Sequence, residues 1–283
     1  MPASRIVAPS GAVRMAVRIH GTCMLVYSNG GFADDGAARM FMKAAALACP
    51  DVVAQYSGPL VGSIEDRSVM VTMLREVPLT IEKGTVMAAM MKRGPRGYVS
   101  LPRPLDDLGE GSRVVSCVPV AVLELRERFP MFDVDPVDSA ERCLSILENG
   151  EAEAVVLPEM EVLLSGIGMS YRVPDEMLTP AASQGVVAVF CNADDDDTLA
   201  WARSVNHPVT RIEVGTERGI MKMMGAGPFT PVGVKGTLND MFVHVQATSY
   251  ACPNGPRKVD DYVAIDYVMD DLLDIADYLA GKR

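Results

Sequence analysis

Residues able to do chemistry are spread thinly through this chain. Six cysteines (Cys23, Cys49, Cys117, Cys143, Cys191 and Cys252) lie far apart, with no Cys-x-x-Cys pair and no Cys/His cluster. A zinc site needs clustered Cys or His ligands at short spacing, and the only histidines are His20, His207 and His244. Buried free thiols in a reducing compartment are therefore expected, with Cys117 and Cys191 as small fillers. The four acids from Asp194 to Asp197 read better as a solvated helix N-terminus, which the macrodipole favours, than as a metal site. Arg75-Glu76 sets a guanidinium beside a carboxylate at the end of an apolar run; taken alone, it reads as a surface ion pair.

The elements that must position these groups alternate. Arg5 to Ala8, Met24 to Tyr27, Val69 to Leu74, Thr85 to Met91, Tyr98 to Leu101, Val114 to Cys117, Ala154 to Leu157 and Val186 to Phe190 are short runs predicted as strands. Asp34 to Cys49 has apolar residues at helical spacing, and Val120 to Phe129 is a helix stopped by Pro130. Ser139 to Asn149 is a helix capped by Asp138 or Ser139 and closed by Gly150. This βαβα rhythm predicts doubly wound α/β domains. The last part changes character. Strands at Pro231 to Val234, Asp240 to Thr248 and Val259 to Asp266, with turns at Gly236 to Asn239 and Pro253 to Pro256, predict a small α+β domain with an antiparallel sheet. It ends in a helix over Val268 to Leu279 with an acidic outer face.

Bulk properties exclude some functions. The 283 residues are 49% hydrophobic and 22% charged, which suits a globular protein with a substantial core. A net charge of −11 argues against a general nucleic-acid surface. No apolar run reaches the roughly 18 residues of a membrane helix. Met1 to Arg18 is basic and free of acids, as a weak organellar presequence would be, but the predicted strand inside it favours a mature start.

Pro180-Ala181-Ala182-Ser183-Gln184-Gly185-Val186-Val187-Ala188-Val189 resembles the Pro-Ala-x-Gly-Gln-Gly-Ala-Leu-Ala-Ile segment of the porphobilinogen deaminase (hydroxymethylbilane synthase) family. Asn192 to Asp195, Asn206-His207-Pro208 and Glu217-Arg218 continue the likeness in register. Upstream, Glu151 to Leu157 resembles the family's Gly-x-Tyr-Asp-Ala-Ile-Val-Leu strand, and Met73 to Pro78 resembles His-Ser-x-Lys-Asp-x-Pro. The ordered matches cover most of residues 60 to 235, while the first 60 residues match loosely. The resemblance implies two domains like type II periplasmic binding proteins, joined by crossing hinges, and a third with an antiparallel sheet. It also implies a dipyrromethane cofactor, held by thioether to the third domain, and an interdomain cleft that condenses porphobilinogen units head to tail with loss of ammonia.

Set against that pattern, several requirements change. The family's cleft aspartate stabilises cationic pyrrole intermediates. Its position matches Glu76, whose carboxylate is carried one methylene further out; misplacement by ~1 Å can cost roughly a hundredfold in a preorganised site. The preceding lysine matches Arg75, a planar fork in place of a compact ammonium. The family's Thr-Ser-Ser-Leu-Arg-Arg aligns with Ser116-Cys117-Val118-Pro119-Val120-Ala121, which removes both carboxylate-binding arginines. Near the next arginine segment only Arg142, displaced by one residue, offers a substitute. The cofactor loop aligns with Met224 to Thr230, which contains no cysteine and has Pro228 near the attachment point.

The resemblance then implies three domains: 1–97 with 185–209, 98–184, and 210–283. Glu76 is the candidate catalytic residue, and Arg75, Ser116, Cys117 and Arg142 are the candidate substrate-binding residues. No metal and no covalent cofactor are expected. The leading expectation is a deaminase-fold protein without dipyrromethane-dependent polymerisation, kept as a binding or regulatory protein. The main alternative is a divergent active synthase; a different enzyme on this scaffold and a structural subunit also stay open. A small-molecule ligand in the interdomain cleft, no nucleic-acid or membrane partner, a monomer and a cytoplasmic setting complete the reading, with organellar import left open.

Overall fold

The computed structural model describes residues 23–266 and 269–283. The strand expected at Arg5 to Ala8 and the basic N-terminal stretch lie outside the described residues. In chain order, β1 (Cys23–Ser28), α1 (Phe32–Ala48), β2 (Val53–Pro59), β3 (Ser68–Met73) and β4 (Thr85–Met90) precede β5 (Tyr98–Leu101) and β6 (Arg113–Ser116). Then come α2 (Pro119–Arg128), β7 (Asp133–Pro136), α3 (Ala140–Glu148), β8 (Ala154–Pro158), α4 (Glu159–Ser165) and β9 (Tyr171–Val173). The remainder is β10 (Val187–Asn192), α5 (Asp196–Arg203), α6 (Pro208–Met224), β11 (Val232–Asn239), β12 (Phe242–Ser249), β13 (Arg257–Ala264) and α7 (Leu273–Leu279). Among the described residues, no helix is long and apolar enough to cross a membrane.

Two units form, each from separated segments. The first takes the chain up to Leu74, Thr80–Arg93 and Val186–Thr210; the second takes Arg75–Leu79, Gly94–Gly185 and Arg211–Arg283. The first is built on a mixed sheet in the order β2-β1-β3-β10-β4, with β1 parallel to its neighbours and β10 antiparallel to both of its own. Its core strands bury Val26, Val69, Val71, Ala89 and Val189 completely. Phe41 of α1 meets Trp201 of α5 edge to face, centroids 5.1 Å apart. Asp34, in the first turn of α1, accepts hydrogen bonds from the Met73 N–H at 2.7 Å and the Thr72 hydroxyl at 3.1 Å. That acid ties the helix to the end of β3.

The second unit repeats the plan and adds to it. Its mixed sheet runs β7-β6-β8-β5-β9, with β6 parallel to β7 and β8, and β5 antiparallel to β8 and β9. All five residues of β8 are buried, as expected where a parallel strand is covered on both faces. Pro119 opens α2, where its missing N–H costs nothing. Ser139 caps α3 by accepting from the Arg142 N–H, and Gly150, at φ 69°, follows its end. An antiparallel sheet, β11-β12-β13, packs one face on α6 and α7 through Val234, Val243, Val245, Ile220, Leu272 and Leu279. This is the expected α/β class: two mixed sheets and a small antiparallel one.

Two expectations need correcting here. Gly236 to Asn239 is part of β11, and the reversal falls at Asp240, φ 51°. Gly236 serves close approach instead of a turn: its N–H donates to Glu217 at 2.9 Å, and a Cβ would stand 3.1 Å from the Glu213 carbonyl. The final helix is also shorter than expected, a 3-10 turn over Met269–Leu272 leading into α7.

Candidate functional site

In open α/β sheets, ligands bind outside the carboxyl ends of parallel strands where the connections diverge. In the second unit that place is the end of β6, which the chain leaves toward β7 on one side before returning to β8 on the other. A recess of about 240 Å³ opens there. Ser116, Cys117, Pro119, Val122, Pro136 and Val137 line it, so its wall is almost wholly apolar. Ser116 is fully buried and its Oγ accepts from the Val118 N–H at 3.3 Å, which fixes the turn into α2. The one cation at the rim, Arg126, spends its Nε and Nη2 on the Val134 carbonyl at 2.9 and 2.6 Å. A multiply charged carboxylate finds one guanidinium in this recess, that of Arg126, and it is already partly committed.

Behind Cys117 lies a buried charge group. Arg75 forks onto Glu161 of α4, Nε to Oε1 at 2.9 Å and Nη2 to Oε2 at 3.2 Å, and reaches Glu76 Oε1 at 2.6 Å. The Arg75 and Glu161 side chains are 3% and 4% exposed, while that of Glu76 is 47% exposed. Burial works against the Arg75 charge, but Glu161, Cys117 and Glu76 outweigh it and hold the guanidinium protonated. Burial likewise pushes the Glu161 carboxyl up, against the pull of Arg75. We read the pair as charged, because the fork satisfies both carboxylate oxygens. The neighbouring Cys143 thiol, then burial, push the Cys117 thiol well up, so it is no ready nucleophile. Burial pushes the Cys191 thiol in the first unit up to about 11.

The residues singled out from sequence thus separate by role. Ser116 and Cys117 line the recess. Arg75 is no surface cation: it is buried with its Nε and Nη2 engaged, and its principal partner, Glu161, carries no signal in the sequence. Glu76 keeps an accessible carboxylate. Arg142 is exposed on α3 and does not line the recess. In the first unit, Asp35 is engaged by the Ser28 hydroxyl at 2.6 Å and by Tyr56; burial and that acid push the Tyr56 phenol up to about 12.

The loop after α6 decides whether a thioether-held dipyrromethane fits. It closes on itself: the Gly227 N–H donates to Thr230 Oγ1 at 2.8 Å and the Thr230 N–H to the Gly227 carbonyl at 3.0 Å. Pro228 faces a space of about 20 Å³, shared with Arg75, Val77, Ala182 and Arg218. That is room for about one water molecule. Arg218 is itself committed to the Val77 and Pro78 carbonyls at 3.2 and 2.7 Å. With no sulfur on the loop and no ring-sized space beside it in this unit, these residues do not fit the group.

Comparison with known proteins now bears on this geometry. Residues 63–200 match the family model described as porphobilinogen deaminase, dipyromethane cofactor binding domain. The chain is 28% identical over 194 residues to a porphobilinogen deaminase of Nitrosomonas europaea, covering 66% of this chain and 63% of that one. It is 33% identical over 175 residues to that of Chromobacterium violaceum, covering 59% and 56%. The chain therefore spans less than two thirds of the length of these relatives. Among solved structures, the methionine binding protein MetQ is similar at TM-score 0.42 and 11% identity, over 69% of this chain and 94% of that chain. A periplasmic substrate-binding protein of an ABC transporter from Coxiella burnetii is similar at TM-score 0.41 and 12% identity, over 69% and 96%.

Proposed function

Because this chain belongs to the porphobilinogen deaminase family through residues 63–200, we propose that it keeps the family's scaffold without its cofactor-dependent polymerisation. It acts instead as a binding or regulatory protein of tetrapyrrole biosynthesis. The observation that carries this reading is the loop from Gly225 to Thr230, which is closed by its own hydrogen bonds, has no thiol and has room beside it for little more than a water. The apolar recess at Ser116 and Cys117 supports it further. A growing polypyrrole gains carboxylates with every unit, and each needs a cation where this recess offers only the partly committed Arg126. The recess suits a small, largely neutral ligand.

Intact-mass spectrometry of the purified full chain tests this directly. The expected mass is that of the polypeptide alone, and no ammonia is released from added porphobilinogen. A dipyrrole adduct on any side chain, or steady ammonia release, overturns the reading.

One observation favours a second reading, a divergent synthase with its primer held non-covalently. Glu76 presents a half-exposed carboxylate beside a guanidinium, the charge that such a mechanism needs. On that reading Glu76→Gln abolishes ammonia release; on ours there is no release to abolish.

A further inference from the structure

We propose that a second concavity of the same unit, between α2 and the outer face of the antiparallel sheet, is a binding site for a small organic dicarboxylate. It is separate from the Ser116 recess and independent of the reading above. The cavity measures about 400 Å³, within the range of metabolite-sized sites. Its sheet wall is set by register. Lys235, Gln246 and Asp260 form one cross-strand row, and Thr248 and Lys258 belong to the next row on the same face. The opposite wall is Arg128 of α2 with the segment from Asp175 to Pro180.

The floor holds the two walls together. Glu124 is buried and accepts from the Thr179 N–H at 2.6 Å and the Thr179 hydroxyl at 2.7 Å. Thr179 Oγ1 also lies 2.8 Å from Thr248 Oγ1 on β12. The cavity is thus framed by hydrogen bonds that need no ligand.

Most of its acids are already engaged. Asp260 takes His244 Nε2 at 2.6 Å and Gln246 Nε2 at 3.2 Å, and Asp175 takes Arg172 at 3.1 Å. The lysine side chains are not. Among the described residues, neither Lys235 nor Lys258 has a hydrogen-bond or ion-pair partner, and Arg128 donates to the Glu176 carbonyl at 2.9 Å. Three cations therefore converge on one hollow of a protein whose net charge is −11, beside four carboxylates, of which Glu124, Asp175 and Asp260 are already hydrogen-bonded and Glu176 lies on the rim. The two ammonium groups left without partners are the charges there that a bound anion can take up.

The spacing selects among anions. Lys235 and Lys258 flank β12, two strand spacings of about 4.8 Å apart, with a two-residue offset of about 7 Å along the strand; their Cα atoms are roughly 12 Å apart. Two separated ammonium groups match two carboxylates joined by a short spacer better than they match one compact oxyanion. Arg128, across the cavity, can take one of those carboxylates by its fork.

Isothermal titration calorimetry on the full chain tests the assignment with succinate and glutarate, and with acetate and inorganic phosphate as controls. Saturable binding of a dicarboxylate is expected, at least tenfold tighter than either control. The double variant Lys235→Gln/Lys258→Gln should weaken it at least tenfold, with an unchanged thermal melt to show that the fold is intact. No saturable binding, binding unchanged in the double variant, or phosphate binding as tightly as the dicarboxylates overturns the proposal. Mass spectrometry of the loop after α6 does not bear on this result, so the two readings can fail separately.

Discussion

Two cationic regions of the second unit show opposite uses of the same charge. At Arg75 the guanidinium is buried, and its Nε and Nη2 are given to Glu161 and Glu76. At the antiparallel sheet, Lys235 and Lys258 stand at a cavity without partners among the described residues. The family's sequence pattern points to the first region as the place to bind an anion, whereas the geometry leaves only the second free to do so. A cation's position in a motif does not decide its role; the neighbours that claim its hydrogens do.

The largest effect that could break this comparison comes from Arg75→Ala. It leaves Glu161 buried and uncompensated, which should cost about 3–5 kcal/mol in urea unfolding; a near-neutral result would mean that Arg75 is not structural. Gly185→Ala should cost about 2 kcal/mol or more. Gly185 has φ 78°, and a Cβ there would stand 2.5 Å from the Pro95 carbonyl.

A smaller change sharpens the contrast from the other side. Ser183 adopts φ 68° and is fully buried, its hydroxyl has no partner, and its N–H donates to the buried Glu217 at 2.7 Å. Ser183→Gly should stabilise the chain by about 1 kcal/mol: left-handed strain and an unpaired hydroxyl outweigh the added chain entropy. A loss of stability would show that the serine makes a contact that matters.

Gentler still is a pH trend at the floor of the cavity between α2 and the antiparallel sheet. Burial raises the Glu124 carboxyl above its ordinary value, against the hydrogen bonds from Thr179. A raised carboxyl adds stability below the unfolded value of about 4.3 and loses it as pH climbs through the folded one. Stability relative to Glu124→Gln should therefore decline over that window; a rise with pH would contradict the assignment. Last, Lys235→Gln and Lys258→Gln should each change stability by less than about 0.5 kcal/mol, as surface changes do.

Much of the fold was legible because local signals agreed with tertiary structure. Apolar runs marked β1, β3, β4, β5, β6, β8 and β10, and Ser139 with Gly150 bracketed α3. The run of acids at Asp194 to Asp197 does open α5, where the Asp195 side chain caps Thr198. The 17-residue helix α6 escaped notice because Val209, Thr210, Ile212, Val214, Gly215 and Thr216 are poor helix formers, and packing overrides their preference. The site was less legible. Glu161 sits three residues past the end of β8 in Pro-Glu-Met-Glu-Val-Leu-Leu, where nothing local says which acid turns inward. The cross-strand rows at Lys235 and Lys258 depend on register, which the turn-like Gly-Thr-Leu-Asn run inside β11 conceals.

The place of β10 also bears on the order in which this polypeptide matures as it leaves the ribosome. Among the described residues, β4 has β10 as its sole sheet neighbour, so that pairing waits until translation has passed Asn192. The strands of the other mixed sheet all lie between Tyr98 and Val173 and can zip together within that interval. Released chains truncated after Gln184 should thus carry a protease-resistant internal fragment and a vulnerable amino-terminal one, the stage at which chaperones have most to do.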